Sequence, residues 1–179
     1  MTADVIILGW RERAALPQLG IERLRAKLDT GARSSALHVD TLDTFERDGA
    51  TWLRFGVGLG RRVRHEVVCE APAIGRRMVT DSGGHRGERW FIRSRVTLAG
   101  YGFDAEIGLA DRRDMLFPLL LGRTALAGRF RVDPDLSYVA NVAGPEPIEL
   151  SAARNGGHED LCLPDPGISL DYLLTEREP

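Results

Sequence analysis

The sequence predicts an all-β body followed by an acidic tail, and three observations carry that prediction. Apolar residues recur with a period of two rather than 3.6, the alternating runs are short and separated by turn residues, and no stretch has the pattern of a long amphipathic helix.

In chain order, Arg23-Leu24-Arg25-Ala26-Lys27-Leu28 alternates cations with apolar residues, as a half-buried strand does, and leads straight into Asp29. Leu53, Phe55 and Val57 alternate with Trp52, Arg54 and Gly56. Trp90, Ile92, Ser94, Val96 and Leu98 form one face of a strand with Arg93, Arg95 and Thr97 opposite. Tyr101, Phe103, Ala105, Ile107 and Leu109 repeat the pattern against Asp104 and Glu106, and Ala99-Gly100 between the two runs is a hairpin connection. Leu116–Leu121, apolar apart from Pro118, reads as a buried segment, and Thr124–Ala127 as one helical turn before Gly128.

At 179 residues the chain can bury one good core with a tail, rather than two independent domains. Residues 1–140 carry 22 Lys and Arg against 18 Asp and Glu, whereas residues 141–179 carry 2 against 8. The expected division is therefore a mildly basic domain over 1–140 and an acidic tail over 141–179. Five of the nine prolines fall in that tail, which is expected to lack a stable fold of its own. The net charge of -2 does not point to nucleic acid. Lys27 is the only lysine, and the arginine bias carries no functional reading. Cys69 and Cys162 are too few for a disulfide framework and lack zinc-site spacing. The apolar run Val5–Leu8 is too short for a signal segment or a membrane span, so a soluble cytoplasmic protein is expected.

The chemistry points to Asp29-Thr30-Gly31-Ala32. A carboxylate at a strand end can be held against a symmetry partner, where two like charges about 3 Å apart share a proton. The ionised member then serves as general base on a water and the protonated one polarises a carbonyl. A Thr30 hydroxyl can fix the loop, and Gly31 tolerates close backbone approach. Taken alone the triplet is also an ordinary turn. Its context is a clean strand before it and Leu119-Leu120-Leu121-Gly122-Arg123-Thr124-Ala125-Leu126 far downstream.

These residues resemble the retropepsin-like aspartic proteases, and within them a bacterial branch labelled ATP-dependent zinc proteases and associated with an ATP-grasp ligase that adds glutamates to a ribosomal protein. The resemblance runs from about Gly9 to Tyr138. It includes Gly9-Trp10-Arg11-Glu12, Asp29 through His38, Cys69-Glu70-Ala71-Pro72, and Leu119 through Phe130 with Val132-Asp133-Pro134. It implies a closed β-barrel with a flap hairpin and a short C-terminal helix, one catalytic Asp per chain, and a homodimer that completes the site. On that resemblance Asp29, Thr30 and Gly31 are catalytic, Thr30 bonds across the dyad, and Gly122 and Arg123 brace the loop. Where viral relatives place acids after the triplet, this chain has Arg33-Ser34-Ser35, which implies a different substrate preference.

Other constellations compete. Asp81-Ser82-Gly83 is a second triplet, but it lies only 52 residues from Asp29 and reads as the tip of the flap hairpin. His65-Glu66-Val67-Val68-Cys69 resembles a helical zinc motif yet sits in a strand pattern, and His38, His85 and His158 have no ligand spacing. No phosphate-binding glycine loop is present, so neither zinc nor ATP is expected as a cofactor. Basic residues crowd the flap, and Ala32, Arg33, His85, Arg86 and Arg89 are the expected substrate contacts, with Arg93 and Arg95 on a solvated face. Guanidinium groups suit carboxylates, which fits an acidic substrate such as a glutamylated ribosomal protein made by the ligase. The expectation is thus a homodimeric aspartic peptidase acting on acidic peptide or protein segments, with no nucleic acid or membrane partner. Its rivals are a non-catalytic module that binds acidic peptides and a zinc-dependent hydrolase.

Overall fold

The computed structural model describes residues 5–59, 65–80, 84, 86–111, 116–140 and 148–149. Twelve strands dominate. In order they are β1 (Ile6–Gly9), β2 (Arg11–Leu16), β3 (Ile21–Asp29), β4 (Ser35–His38), β5 (Thr41–Arg47) and β6 (Ala50–Leu59). There follow β7 (His65–Thr80), β8 (Arg86–Leu98), β9 (Tyr101–Ala110), β10 (Leu119–Gly122), β11 (Phe130–Asp133) and β12 (Ile148–Glu149). One helical turn, α1 (Arg123–Leu126), follows β10.

Six of these strands close a barrel in the order β9-β4-β10-β3-β2-β8, with β8 pairing back to β9. The retropepsin-like barrel implied by the sequence is therefore present. The period-two pattern explains which side chains fill it. Leu24, Ala26 and Leu28 of β3 are buried while Arg25, Lys27 and Asp29 are only partly so. Ile92, Val96 and Leu98 of β8 meet Phe103, Ile107 and Leu109 of β9 in the same core. Their connection turns on Ala99 and Gly100, both with positive φ, which closes a tight hairpin matched to the strand twist.

β7 does double duty. Its first half pairs with β6, and its second half, from Ala73 to Thr80, pairs with β8. The register shifts between Ala73 and Gly75, and Gly75 has φ 139°, which bends the strand out of one sheet and into the other. Paired residues run to Thr80 and Arg86, so the second half of β7 and the first of β8 form a projecting hairpin. Asp81-Ser82-Gly83 and His85 lie outside the described residues. β6 and β5 continue the sheet outward from β7.

Two features differ from the sequence reading. Of Leu116–Leu121 only Leu119–Leu121 are buried, as β10, while Leu116 is 58% exposed. The apolar run is continuous in sequence but only its last part enters the barrel. At the other end of the chain, β1 pairs in parallel with β11. Next to it Glu12 is fully buried on the inner face of β2, beside Ala14 and Leu16. It accepts hydrogen bonds from the Gly9 amide at 2.8 Å, the Val139 amide at 3.1 Å and the Ala140 amide at 3.0 Å. The chain at 136–140 is held there as a strap: Trp10 N–H donates to the Leu136 carbonyl and Tyr138 N–H to that of Arg11. Arg11 and Arg13 stack on the Tyr138 ring. A side chain on Gly9 would collide with the Leu136 carbonyl, so close approach of the strap requires glycine there. Of the tail, Ile148 and Glu149 pair in parallel with Tyr101 and Gly102, and the rest lies outside the described residues.

Candidate active site

Asp29 is the last residue of β3, where it stands opposite Gly122 of β10 in parallel register. One of its oxygens, Oδ1, accepts the Gly31 amide at 3.0 Å and the Ala32 amide at 3.1 Å. The other, Oδ2, lies 3.2 Å from the Lys27 ammonium. Burial pushes the carboxyl up, but the Lys27 ammonium with the Ala32 and Gly31 amides outweighs it and holds the group below its ordinary value. The chain therefore presents an ionised carboxylate whose orientation is fixed by its own loop.

That loop is braced from α1. Arg123 donates to the Thr30 carbonyl at 3.0 Å and to the Gly31 carbonyl at 2.9 Å. Its amide bonds the Ala32 carbonyl, and the Thr124 hydroxyl bonds that of Arg33. Gly122 lets this happen: a Cβ there would sit 2.6 Å from the Ser34 carbonyl oxygen and 2.9 Å from that of Arg33. The Gly122 amide also donates to the buried Ser35 hydroxyl at 3.2 Å. Loop 30–34 thus rests on the start of α1.

Above the loop lies a cleft of about 1100 Å³, floored by Lys27, Asp29 and Leu120 and overhung by Met78 and Thr80 of the hairpin. The hairpin therefore occupies the position of a flap. Gly31, Ala32, Arg33 and Arg89 line this cleft with Asp29. Thr30 is exposed, and its carbonyl rather than its side chain is held in the single chain. Arg86 is exposed at the far end of the described flap, paired with Thr80, and does not line the cleft, and His85 falls outside the described residues.

The flap is less basic than its composition suggests. Arg76 pairs with Glu88, and Arg77 and Arg93 both pair with Glu106, whose carboxyl is held low chiefly by the Arg77 hydrogen bond. Arg93 is exposed, on the solvated face expected for it, and also lines the cleft. The expectation missed that β9, by pairing with β8, brings Glu106 beside Arg93. Even so, five cations line the cleft against three carboxylates, and among the described residues Arg33 and Arg89 have no ion-pair partner. Lys27 is the site residue that the sequence reading passed over. Its signal was available, since period two puts it on the same strand face as Asp29.

Among the described residues no group of three or more His, Cys, Asp or Glu side chains could hold a metal ion. His65 and Cys69 stand on β7, where extended chain sets the two positions about 13 Å apart rather than one helical turn apart as in the helical zinc motif. Cys69 is buried, donates to the Leu19 carbonyl at 3.4 Å, and has its thiol pushed up to about 11 by burial. No helix of the described residues is long and apolar enough to cross a membrane.

A closed six-stranded barrel with an Asp-Thr-Gly loop under a flap defines the acid-protease class in its one-lobe-per-chain form. Within that class the chain belongs to the RimB-like family, described as retropepsin-like aspartic endopeptidase RimB, which matches residues 7–142. It is 38% identical over 151 residues to a probable alpha-L-glutamate ligase of Desulfotalea psychrophila, covering 83% of this chain and 32% of that protein. A probable alpha-L-glutamate ligase of Shewanella halifaxensis is 33% identical over 182 residues, covering 98% of this chain and 40% of that one. The chain thus spans well under half the length of these curated relatives. The crystal structure of Lpg0085 from Legionella pneumophila, a protein of unknown function, superposes with a TM-score of 0.66 at 28% identity. That match covers 78% of this chain and 100% of the other.

Proposed function

We propose that the chain is an aspartic peptidase whose active site forms when two copies bring their Asp29 loops together. The observation that carries this reading is the Asp29 carboxylate, oriented by the Gly31 and Ala32 amides and braced by Arg123 on the floor of an open cleft. One chain offers one such carboxylate among its described residues, and the reaction needs two that share a proton. On this reading Thr30, which is exposed beside Asp29, bonds across the two-fold axis. With one proton on the pair, the ionised Asp29 takes a proton from water as that water attacks the peptide carbonyl. The protonated Asp29 polarises the carbonyl oxygen, and the tetrahedral species collapses with proton transfer to the leaving amine. No covalent intermediate forms.

The substrate class follows from charge. The surplus of cations in the cleft, with Arg33 and Arg89 uncommitted, suits acidic segments. Relatives of which this chain matches only a part are named glutamate ligases, which supports a glutamate-rich product of such a ligase, for example a glutamylated ribosomal protein, as the substrate. On this reading the ligase is a functional partner of this chain. The Lys27–Asp29 ion pair favours a second reading, a module that binds acidic peptides without cleaving them. Asp29→Asn separates the two. The variant should keep its fold and its affinity for a glutamate-rich peptide while losing hydrolysis. Near-normal turnover by purified Asp29→Asn would sink the aspartic mechanism, and a wild-type chain that binds but never cleaves would establish the binding module.

A further inference from the structure

We infer that Lys27 reads an acidic side chain of the substrate immediately beside the scissile bond, its ammonium passing from Asp29 to that carboxylate when peptide binds. The inference rests on the peptidase reading above and names the residue that sets its specificity. Lys27 and Asp29 are two apart on β3 and so project from the same strand face into the same cleft. The ammonium lies 3.2 Å from Oδ2, the carboxylate oxygen not held by the loop amides. A group that touches the reacting carboxylate is within one side-chain length of the bond being cut.

Charge balance then requires a new partner. Two Asp29 carboxylates that share a proton carry one negative charge, whereas two Lys27 ammonium groups carry two positive ones. Once peptide and flap cover the site, the second ammonium would be desolvated without a counter-charge, which is costly. A glutamate or aspartate beside the scissile bond supplies one. The other charged groups lining the cleft are Arg33 from the loop, Arg77, Arg89 and Arg93 from the flap strands, and Asp104 and Glu106 from β9. Of these, Arg77 and Arg93 are tied to Glu106. The Asp29 carboxylate is held by Gly31, Ala32 and Lys27 and not by Arg33 or Arg89, so these two suit residues further along the peptide.

The test uses two peptides that differ only by Glu or Gln next to the cleaved bond, and two matching hydroxyethylene isosteres that bind without being cut. Wild type, Lys27→Met and Lys27→Arg are compared. The wild type should favour Glu by about tenfold or more, both in kcat/KM and in isostere Kd, as expected for a charge-assisted hydrogen bond. In Lys27→Met the two ratios should fall to about one, and the acid limb of the pH–rate profile should move up because Asp29 has lost its cation. Lys27→Arg should keep most of the preference. A Glu preference that survives in Lys27→Met, or wild-type chain that binds the isosteres equally or not at all, overturns the inference. The isosteres need no turnover, so failure of the peptidase reading shows separately, as absent wild-type hydrolysis alongside an intact Lys27-dependent Kd ratio.

Discussion

Asp29 is ionised in the single chain because its neighbours are arranged for it: two loop amides on one oxygen and an ammonium on the other. The brace behind that loop depends on a residue with no side chain. Gly122→Ala would drive a methyl group into the Ser34 and Arg33 carbonyls, which are backbone and cannot swing aside. The loop must then lift away from α1, and the Arg123 hydrogen bonds to Thr30 and Gly31 lengthen or break. Overpacking of this kind costs about 1–3 kcal/mol. The expected result is a lower melting temperature and a fall in kcat much larger than any change in KM, since the carboxylate is misplaced and the cleft is not. A variant with unchanged kcat would show that loop position does not govern the chemistry. These roles were partly legible in the sequence: the strand leading into Asp-Thr-Gly and the later Leu-Leu-Gly-Arg identified Asp29, Gly122 and Arg123. Lys27 was read with Arg23 and Arg25 as one of a row of solvated cations, although that row is the face on which Asp29 itself ends.

At the scale of elements, alternation predicted β3, β6, β8 and β9 because each has one face in the hydrophobic core and one outside it. The same rule fails for β2, where Glu12 takes a buried position between apolar neighbours. What makes a carboxylate acceptable there is three amides, two of them supplied by residues 127 and 128 positions away, and no local pattern reports such a partner. Glu12→Gln tests whether the strap is held by this group. An amide can accept with one oxygen, but its NH2 would face an N–H donor of the strap, leaving a buried donor unsatisfied at a cost of about 1–3 kcal/mol. Urea unfolding should show that loss, with protease cutting near Tyr138 as the strap loosens. Unaltered stability and resistance would mean that the Trp10 and Tyr138 backbone bonds hold the strap without Glu12. The parallel β1–β11 pair was illegible for the same reason, since it joins the two ends of the domain.

For the whole molecule, the proposed function has the barrel supply half a site and the cations of the cleft select acidic peptides. Long-range attraction of this sort weakens as salt shortens the screening length, from about 10 Å at 0.1 M to about 3 Å at 1 M. Cleavage of a glutamate-rich peptide should therefore exceed that of its glutamine counterpart at low salt, with the gap shrinking at high salt. Arg89→Gln should narrow it chiefly through KM, because Arg89 lines the cleft without touching the reacting carboxylate. Equal cleavage of both peptides at low salt would refute acidic selectivity and leave the Asp29 mechanism standing. That the two Asp29 carboxylates come from two chains is the central claim, and subunit mixing tests it most directly. Wild type and Asp29→Asn are combined in equal amounts, allowed to exchange, and assayed on a peptide that the wild type cleaves. If each site needs an Asp29 from both chains, only doubly wild-type dimers work, and activity per chain falls to about a quarter of the pure wild-type value. If each chain carries its own complete site, activity stays at about half, and the shared dyad is contradicted.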